Sequence, residues 1–455
     1  MAILSPLTPA ARRKSIPERA LSIFTDVRPG EGTSALLLAA NGFYLLAFYQ
    51  VLKIVREALI LSESGAVVAS YASAGMALVL FFFVPAYSAF AARVNRVRLI
   101  CGVTFFFASH LLIFWALGSA GVHIGVAFYI WIGVFNMVAV AQFWSFANDV
   151  YSSERGKRLF PLVGVGATLG ALIGAGLATA LFGGIGPYRL MLIAAAGLLV
   201  PVALTIVVHR REKGYQQAKE VEGLALNDGE RPLAKSDGFR LVLGSRYLLM
   251  IAMMVLVFNL VNTLGGFMMN TLITQTAKNA AAAAGAGFDE RAMIATLSGT
   301  VQTSANLVAF FLQAFVVSRI FKHAGVRGAL FVLPAIAALG YTAVALLPML
   351  AVVQWIKIFE NGTDYSIQNT TRHALFLPTS REVKYNAKQA IDTFFVRTGD
   401  LLQALIVFVG VQLALSIRGF ALVNVVLVAV WLALALGIAR EHRKMPGAET
   451  AERAA

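Results

Sequence analysis

Charged side chains occur inside an apolar segment near the start of the chain, where they could bind an anion. In YQVLKIVREAL, Lys53 is followed by Arg56 and Glu57 at offsets of three and four, which places all three on one helical face. Charges are costly where they face hydrocarbon, so we expect this face to border a partner or a cavity. Two interpretations follow. Either Lys53 and Glu57 neutralise each other and leave Arg56 for another partner, or the cations bind an anionic solute.

Three further apolar segments carry polar stripes at helical spacing, around 142–149, 357–364 and 392–400. The positive and negative groups nearly balance, so ion pairs could break and re-form between open states of the protein. A residue such as Arg397 could equally form a structural pair with Asp400. The predicted substrate-binding residues are Lys53, Arg56, Glu57, Asn148, Asp149, Lys357, Glu360, Asp364, Arg397 and Asp400.

The elements that carry these charges are predicted to span a membrane. Of 455 residues, 58% are hydrophobic and only 13% are charged, and the mean hydropathy is +0.74. Soluble domains carry roughly 25% charged residues. The apolar residues fall in runs of about 20, which is long enough for a helix to cross the bilayer core. The composition therefore predicts an all-α integral membrane protein.

Apolar runs give twelve candidate transmembrane helices, at 35–61, 67–91, 98–118, 122–150, 160–183, 187–209, 245–275, 291–321, 326–347, 349–376, 388–416 and 418–440. Lys and Arg concentrate in alternate loops of this arrangement, whereas the opposite loops hold few. The positive-inside rule then places both termini in the cytoplasm. We predict a multi-pass protein of the bacterial inner (plasma) membrane.

A polar segment at 210–240 divides the spans into two groups of six. Six plus six helices, with similar basic loops at equivalent places, is the arrangement of major facilitator transporters, whose halves are pseudo-repeats. The predicted division is a cytoplasmic arm at 1–33, a six-helix bundle at 34–209, a linker at 210–240, a second six-helix bundle at 241–440 and a cytoplasmic tail at 441–455.

Several function classes are disfavoured by the sequence. Cys101 is the single cysteine, and the six histidines are scattered, so neither a disulfide nor a metal site is expected. The net charge of +15 lies in short loops rather than on a nucleic-acid-binding face. No P-loop and no cluster of nucleophile, base or metal ligands is present, so we expect no catalytic residues, no cofactor and no enzymatic activity. Gly166, Gly170 and Gly174, at spacing four, are predicted to pack helices closely.

The stretch ALFLPTSREVKYNAKQAIDTFFVRTGDLLQ, at 374–403, passes from an apolar segment through a basic turn into another apolar segment. We predict that it forms a cytoplasmic gate. Together with YQVLKIVREALIL (49–61) and FWSFANDVYSSERGKRLFPLVGVGATLG (143–170), it resembles the nucleotide transporter family, the ATP/ADP antiporters of plastids and obligate intracellular bacteria. The resemblance implies that Lys53 meets substrate phosphates. It also implies a set of charged residues at the cytoplasmic gate: Glu154, Lys157, Arg158 and Lys388.

We therefore expect a secondary transporter that moves a nucleotide or a related organic anion by alternating access, as an exchanger. Its partners would be this small-molecule substrate and the lipid bilayer, without nucleic acid; the sequence does not specify an oligomeric state. The alternative is a proton-coupled transporter of another small solute, in which Asp364, Asp392 or Asp400 titrates.

Overall fold

A computed structural model of the chain describes residues 27–28, 31–91, 93–151, 153–221, 238–285, 287–380 and 383–445. Within these ranges the chain is helical apart from short connections, and no β-strand occurs. Most of the helices are far longer than the three turns that are typical of globular proteins. The all-α prediction is confirmed.

The first half of the chain contains six helical elements, of which the sixth is interrupted at Leu198. They are α1 (Gly32–Glu63), α2 (Gly65–Ala91), α3 (Arg96–Ser119), α4 (Gly125–Val150), α5 (Ser153–Ile185) and α6 (Pro187–Gly197 continued by Leu199–Val221). The junction between α5 and α6 follows from its sequence. Gly186 has a φ of +80°, which only glycine adopts readily, and Pro187 then occupies the first turn, where its missing N–H is not needed.

The second half begins with a short helix, Gly238–Gly244, and also contains six helical elements. They are α7 (Arg246–Ala284), α8 (Glu290–Phe311, Leu312–Val316 and Val317–Ala329), α9 (Val332–Leu346), α10 (Leu350–Thr363, Asp364–Gln368 and Asn369–Ala374), α11 (Val383–Ala387, Lys388–Ala390, Ile391–Phe395 and Val396–Gln412) and α12 (Ile417–Arg443). Three of these elements contain π-helical turns, at 312–316, 364–368, 383–387 and 391–395. Such turns are uncommon in helices and are frequently found at functional sites.

Ten helices among the described residues are long and apolar enough to cross a membrane. The exceptions are α9, which is a shorter apolar helix of 15 residues, and α10, which carries several charges. The predicted count of twelve spans therefore stays a prediction. The helix α6 continues to Val221, into the segment predicted as a linker, and 222–237 of that segment lie outside the described residues.

The buried apolar side chains form two clusters that follow the two halves of the chain. One contains Phe128 and Phe135 of α4, and the other contains Tyr341 of α9 and Trp431 of α12. The halves meet where α5 and α1 pack against α8 and where α2 packs against α11 and α7. A cavity between the two halves, bordered by most of these helices, is the candidate functional site.

Three glycines set the distance between α1 and α5. A Cβ on Gly166, Gly170 or Gly174 would lie 2.4, 2.1 or 2.3 Å from the backbone oxygens of α1 residues Ala39, Phe43 and Ala47, respectively. Real Cβ atoms do not approach so closely, so the two backbones can touch only where side chains are absent. The packing function predicted for these glycines is confirmed. It brings the backbone of α1, which carries the charged face, into direct contact with α5.

Candidate functional site

A cavity of about 270 Å³ lies between the two halves of the molecule. Its volume is close to the lower end of the range for ligand pockets, roughly 300–1,000 Å³. Four of the predicted binding residues line it: Lys53, Arg56, Glu57 and Lys357. Hydroxyl and amide side chains supply most of the remaining polar lining: Ser70, Ser73, Tyr129, Asn262, Thr263, Asn270, Ser298, Gln302, Asn361 and Gln403.

Lys53 connects the two halves through an uncharged acceptor. Its Nζ donates a hydrogen bond to Oε1 of Gln302 on α8, at 2.7 Å. Nε2 of Gln302 donates to Oδ1 of Asn306 at 3.1 Å, and Nδ2 of Asn306 donates to the carbonyl oxygen of Ala171 on α5 at 3.1 Å. No carboxylate among the described residues forms an ion pair with Lys53. Its positive charge therefore borders the cavity without a negative partner.

Arg56 and Glu57 neutralise each other beside Lys53. Nη2 of Arg56 forms an ion pair with Oε1 of Glu57, and Nε of Arg56 donates to the same oxygen at 3.1 Å. The guanidinium also lies over the ring of Tyr129, with its Cζ 4.3 Å from the ring centroid. The interpretation in which Lys53 pairs with Glu57 and leaves Arg56 free is wrong, because the planar guanidinium reaches the adjacent carboxylate on the same helix.

Lys357 lines the cavity from the second half, and the carboxylate of Glu360 compensates its charge. Its Nζ donates to Oε2 of Glu360 at 2.8 Å, to the carbonyl oxygen of Asn262 at 3.0 Å and to Oδ1 of Asn262. Oε2 of Glu360 also accepts from the hydroxyl of Tyr341 at 2.8 Å, and Glu360 is completely buried. A buried pair held by further hydrogen bonds fixes the orientation of both side chains.

Arg397 and Asp400 form an ion pair on α11, with Nη1 and Oδ2 separated by 3.1 Å. Oδ1 of Asp400 accepts from Nδ2 of Asn259 at 2.8 Å, which ties α11 to α7. Asp400 is 4% exposed and neither residue lines the cavity. Asp364 begins the π-helical turn of α10, and no cation among the described residues forms an ion pair with it. It lies outside the cavity lining.

Asn148 and Asp149 lie at the end of α4, away from the cavity. Both side chains are exposed, and Asp149 forms an ion pair with Arg96, at 2.9 Å from its Nε. Arg96 also donates to the hydroxyl of Ser145. The polar stripe of α4 therefore connects α4 to the start of α3, and the structure does not bring it to the other predicted binding residues.

Of the predicted gate residues in the first half, Arg158 is engaged in a buried ion cluster. Its Nη1 and Nη2 donate to the two carboxylate oxygens of Glu31, each at 3.0 Å, and Arg155 reaches the same carboxylate and Glu212. Burial raises the pKa of the Glu31 carboxyl, but the hydrogen bonds from Arg158 and the backbone of Arg28 outweigh it, so this pKa lies below its usual value. The side chains of Glu154 and Lys157 lie outside the described residues.

The predicted gate residue of the second half, Lys388, lies beside α10. Its Nζ donates to Nδ1 of His373 at 2.7 Å, and the neighbouring Asp392 forms an ion pair with Arg372. These contacts join the start of α11 to the end of α10. Two positions of the intervening turn, 381 and 382, lie outside the described residues.

Sequence reasoning missed two groups of residues. Uncharged Gln302 and Asn262 receive hydrogen bonds from the cavity lysines, although amides in an apolar helix are themselves a signal for an interior position. The second group joins the end of α1 to the starts of α4 and α8. There, Oε2 of Glu63 accepts from the backbone N–H of Gly125 at 2.7 Å, and its Oε1 lies 3.9 Å from Nη2 of Arg291.

Solved transporter structures share the fold of this chain. A peptide transporter of the POT family, described as auto-inhibited, matches with a TM-score of 0.61 and 14% identity and covers 91% of this chain and 97% of its own. A bacterial homologue of the human lysosomal transporter Spinster, inward-facing and unoccupied, matches with a TM-score of 0.59 and 15% identity, over 91% of this chain and 98% of that chain. These similarities confirm the predicted fold of major facilitator type.

Sequence comparison leads to a specific family. ADP,ATP carrier protein 1 of Chlamydia muridarum is 24% identical over 308 residues, which are 60% of this chain and 56% of that protein. The matched part of the chain thus spans little more than half of the relative's length. The TLC ATP/ADP transporter family matches residues 126–442. This match agrees with the resemblance that the sequence predicts. The chain belongs to the TLC ATP/ADP transporter family.

Proposed function

We propose that this protein is a secondary transporter that exchanges nucleotides of the ATP/ADP type, or a related phosphorylated anion, by alternating access. One observation carries the proposal. The ammonium of Lys53 borders a cavity between the two halves and is bound across them to a neutral amide, Gln302, rather than to a carboxylate. A cation that is ready for a negative ligand is therefore present where both halves can contact it.

The charge around the cavity favours an anion. Arg56 is balanced by Glu57 and Lys357 by Glu360, so Lys53 contributes a net positive charge. A polyphosphate carries several negative charges and can compete for the paired cations as well, because charge-assisted hydrogen bonds to phosphate are among the strongest that side chains make. The amide and hydroxyl groups of the lining supply neutral donors and acceptors for the rest of the ligand.

Exchange, rather than one-way movement, follows from the same contact. Lys53 is on α1 and Gln302 is on α8, so a movement that separates these helices breaks their hydrogen bond. The empty protein would then hold an unneutralised ammonium in a low-dielectric interior, which is unfavourable. A bound anion removes that penalty. Reorientation is therefore fast only when substrate is bound.

The membrane orientation is part of the proposal. The turn that follows α2 and the first turn of α3 carry Arg93, Arg96 and Arg98, at the same end of the helices as the start of α1. The positive-inside rule assigns this side to the cytoplasm. We place both termini there, in the inner membrane of a bacterium, with a lipid bilayer and a small anion as the partners. The basic loops serve this orientation, and no contact with nucleic acid is required.

Counter-flow in proteoliposomes tests the proposal. Vesicles that contain the purified protein are preloaded with ADP, with inorganic phosphate or with buffer, and the uptake of labelled ATP is followed. Stimulation by internal ADP over both controls is expected. If ADP-loaded and buffer-loaded vesicles take up ATP at the same rate, this protein does not exchange nucleotides.

A proton-coupled transporter of another solute is the second candidate, favoured by Asp364. Asp392 and Asp400 are paired with Arg372 and Arg397, whereas Asp364 has no ion-pair partner among the described residues. A half-buried carboxyl that forms no ion pair is suited to bind and release a proton. If this candidate is correct, uptake of the transported solute should be lost when a proton ionophore is added and in the Asp364→Asn variant. Nucleotide counter-flow that persists in the presence of the ionophore excludes it.

A further inference from the structure

We propose that a groove between α2, α3 and α4, remote from the central cavity, binds an anionic phospholipid. The acyl chain lies along the groove, and the phosphate contacts the guanidinium of Arg98. The groove has a volume of about 530 Å³, within the range of ligand pockets. Its lining shares no residue with that of the central cavity, so lipid and transported solute would bind independently.

The walls of the groove are suited to a hydrocarbon chain. They consist almost wholly of apolar side chains, among them Phe83, Phe90, Leu99, Phe106 and Val138. Phe90 and Phe106 are each 55% exposed, so the groove opens on the outer face of the first half, where lipid surrounds a membrane protein. From Arg98 to Phe107 the groove follows nine residues of α3, about 14 Å at the helical rise. The groove is therefore long enough to hold a large part of an extended acyl chain.

A cation lies at one end of this apolar groove. Arg98, in the first turn of α3, lines the groove and is exposed, and no carboxylate among the described residues forms an ion pair with it. Its neighbour Arg96, by contrast, is bound to Asp149 at 2.9 Å. The positive-inside rule explains why both arginines lie on this side, but not why the unpaired one borders the groove.

Headgroup chemistry decides which lipid fits. A guanidinium binds a phosphate through two parallel hydrogen bonds, and basic pockets between transmembrane helices bind anionic headgroups. A zwitterionic lipid carries its own cation beside the phosphate and gains less from Arg98. The occupant is therefore an anionic phospholipid of the cytoplasmic leaflet, with phosphatidylglycerol as a suitable probe.

Two substitutions separate the headgroup contact from the groove. Arg98→Gln removes the cation, and Arg93→Gln, in the same basic segment but outside the groove lining, is its matched control. Gly102 lines the groove, and a Cβ added to it meets no atom within 4 Å, so Gly102→Leu places a side chain there without a clash at Cβ. Each protein is purified in detergent and titrated with phosphatidylglycerol or phosphatidylcholine of identical acyl chains, and bound lipid is counted by native mass spectrometry.

The wild-type protein should prefer phosphatidylglycerol by about fivefold, the effect of one basic residue at a membrane surface. Arg98→Gln should lose this preference and Arg93→Gln should keep it, whereas Gly102→Leu should bind less of both lipids. Equal binding of the two lipids by the wild type, or equal behaviour of the two arginine variants, overturns the proposal. If Gly102→Leu fails to fold, the comparison of the arginine variants still decides the outcome.

Discussion

The ammonium of Lys53 on α1 donates a hydrogen bond to Oε1 of Gln302 on α8, at 2.7 Å, and this contact joins the two halves of the protein at the central cavity. Gln302 is itself held by Asn306, which is anchored to the backbone of α5. The acceptor is therefore fixed in position but uncharged. An anion that enters the cavity can replace a neutral amide more easily than it could replace a carboxylate, because less electrostatic attraction is lost.

Replacement of this lysine should stop transport without preventing insertion. We expect Lys53→Gln to lower the rate of nucleotide counter-flow by at least about tenfold, the effect of one lost charge-assisted hydrogen bond. Lys278→Gln is the matched control, because Lys278 is an exposed lysine near the end of α7. Rates are compared at equal amounts of reconstituted protein. Wild-type exchange by Lys53→Gln would show that the substrate is anchored elsewhere.

The sequence was sufficient to predict that three charged residues share one face of α1, but not which of them form an ion pair. Helical spacing places Lys53, Arg56 and Glu57 on one face, and the structure has them together on the cavity wall. The spacing does not determine which cation meets Glu57, because that depends on side-chain reach and on Tyr129, which lies on another helix. Long-range partners of this kind leave no local periodic signal.

The predicted gate residues illustrate a different limit of sequence-based prediction. The charge of the basic residues in the first turns of α5 and α11, together with the family resemblance, predicts a gate there. Arg158 is bound through both Nη atoms to Glu31, a residue 127 positions earlier in the chain, and the sequence does not predict this partner. Lys388 contacts His373, which lies 15 positions earlier, and directly follows a π-helical turn at 383–387 that no propensity rule predicts. Charge alone indicates the side of the membrane, whereas the partner depends on the tertiary fold.

The ion pair between Lys357 and Glu360 should stabilise the fold, and Lys357 should also contribute to transport. Glu360→Leu leaves a buried ammonium without its carboxylate, which costs about 3–5 kcal/mol. Lys357→Met combined with Glu360→Leu removes both charges and should recover most of that loss, since an apolar pair can replace a buried ion pair. Thermal unfolding in detergent measures both effects.

Transport by the double variant separates the two functions of this pair. If Lys357 also contacts the substrate from the second half, the double variant should be stable but should still exchange nucleotides slowly in the counter-flow assay. Full activity would assign the pair to stability alone, and a double variant as unstable as Glu360→Leu would contradict the compensation.

Two glycines of α5 should respond in opposite ways to one added methyl group. In Gly170→Ala, the Cβ would lie 2.1 Å from the carbonyl oxygen of Phe43, so α1 must move, at a cost of about 1–3 kcal/mol. In Gly164→Ala, on the same helix, the Cβ meets no atom within 4 Å, and the higher helix propensity of alanine should stabilise the protein by about 0.5–1 kcal/mol. Unfolding midpoints of the two variants and the wild type are compared. Equal destabilisation would refute the close packing of α1 on α5.

The contacts around Arg291 should keep the cavity closed on the side opposite the termini. Nη1 of Arg291 donates to the hydroxyl of Tyr188 at 3.2 Å, and its Nη2 lies 3.9 Å from Glu63, so one side chain of the second half contacts two helices of the first. Arg291→Met removes both contacts and should shift the protein towards the state that is open on that side. The guanidinium is 35% exposed, and screening by solvent limits the expected shift to about two- to fivefold.

Accessibility of the cavity to a thiol reagent measures this shift. Ser298 lines the cavity, so Ser298→Cys in a Cys101→Ser background provides a single reactive thiol. Labelling of oriented membranes with an impermeant maleimide from the non-cytoplasmic side should rise in Arg291→Met. It should remain unchanged in Arg189→Met, which removes an exposed arginine in the first turn of α6, at the same end of the helices. Equal labelling of the two variants would show that the Arg291 contacts do not hold this side closed, since the loss of an exposed charge alone would then account for the result.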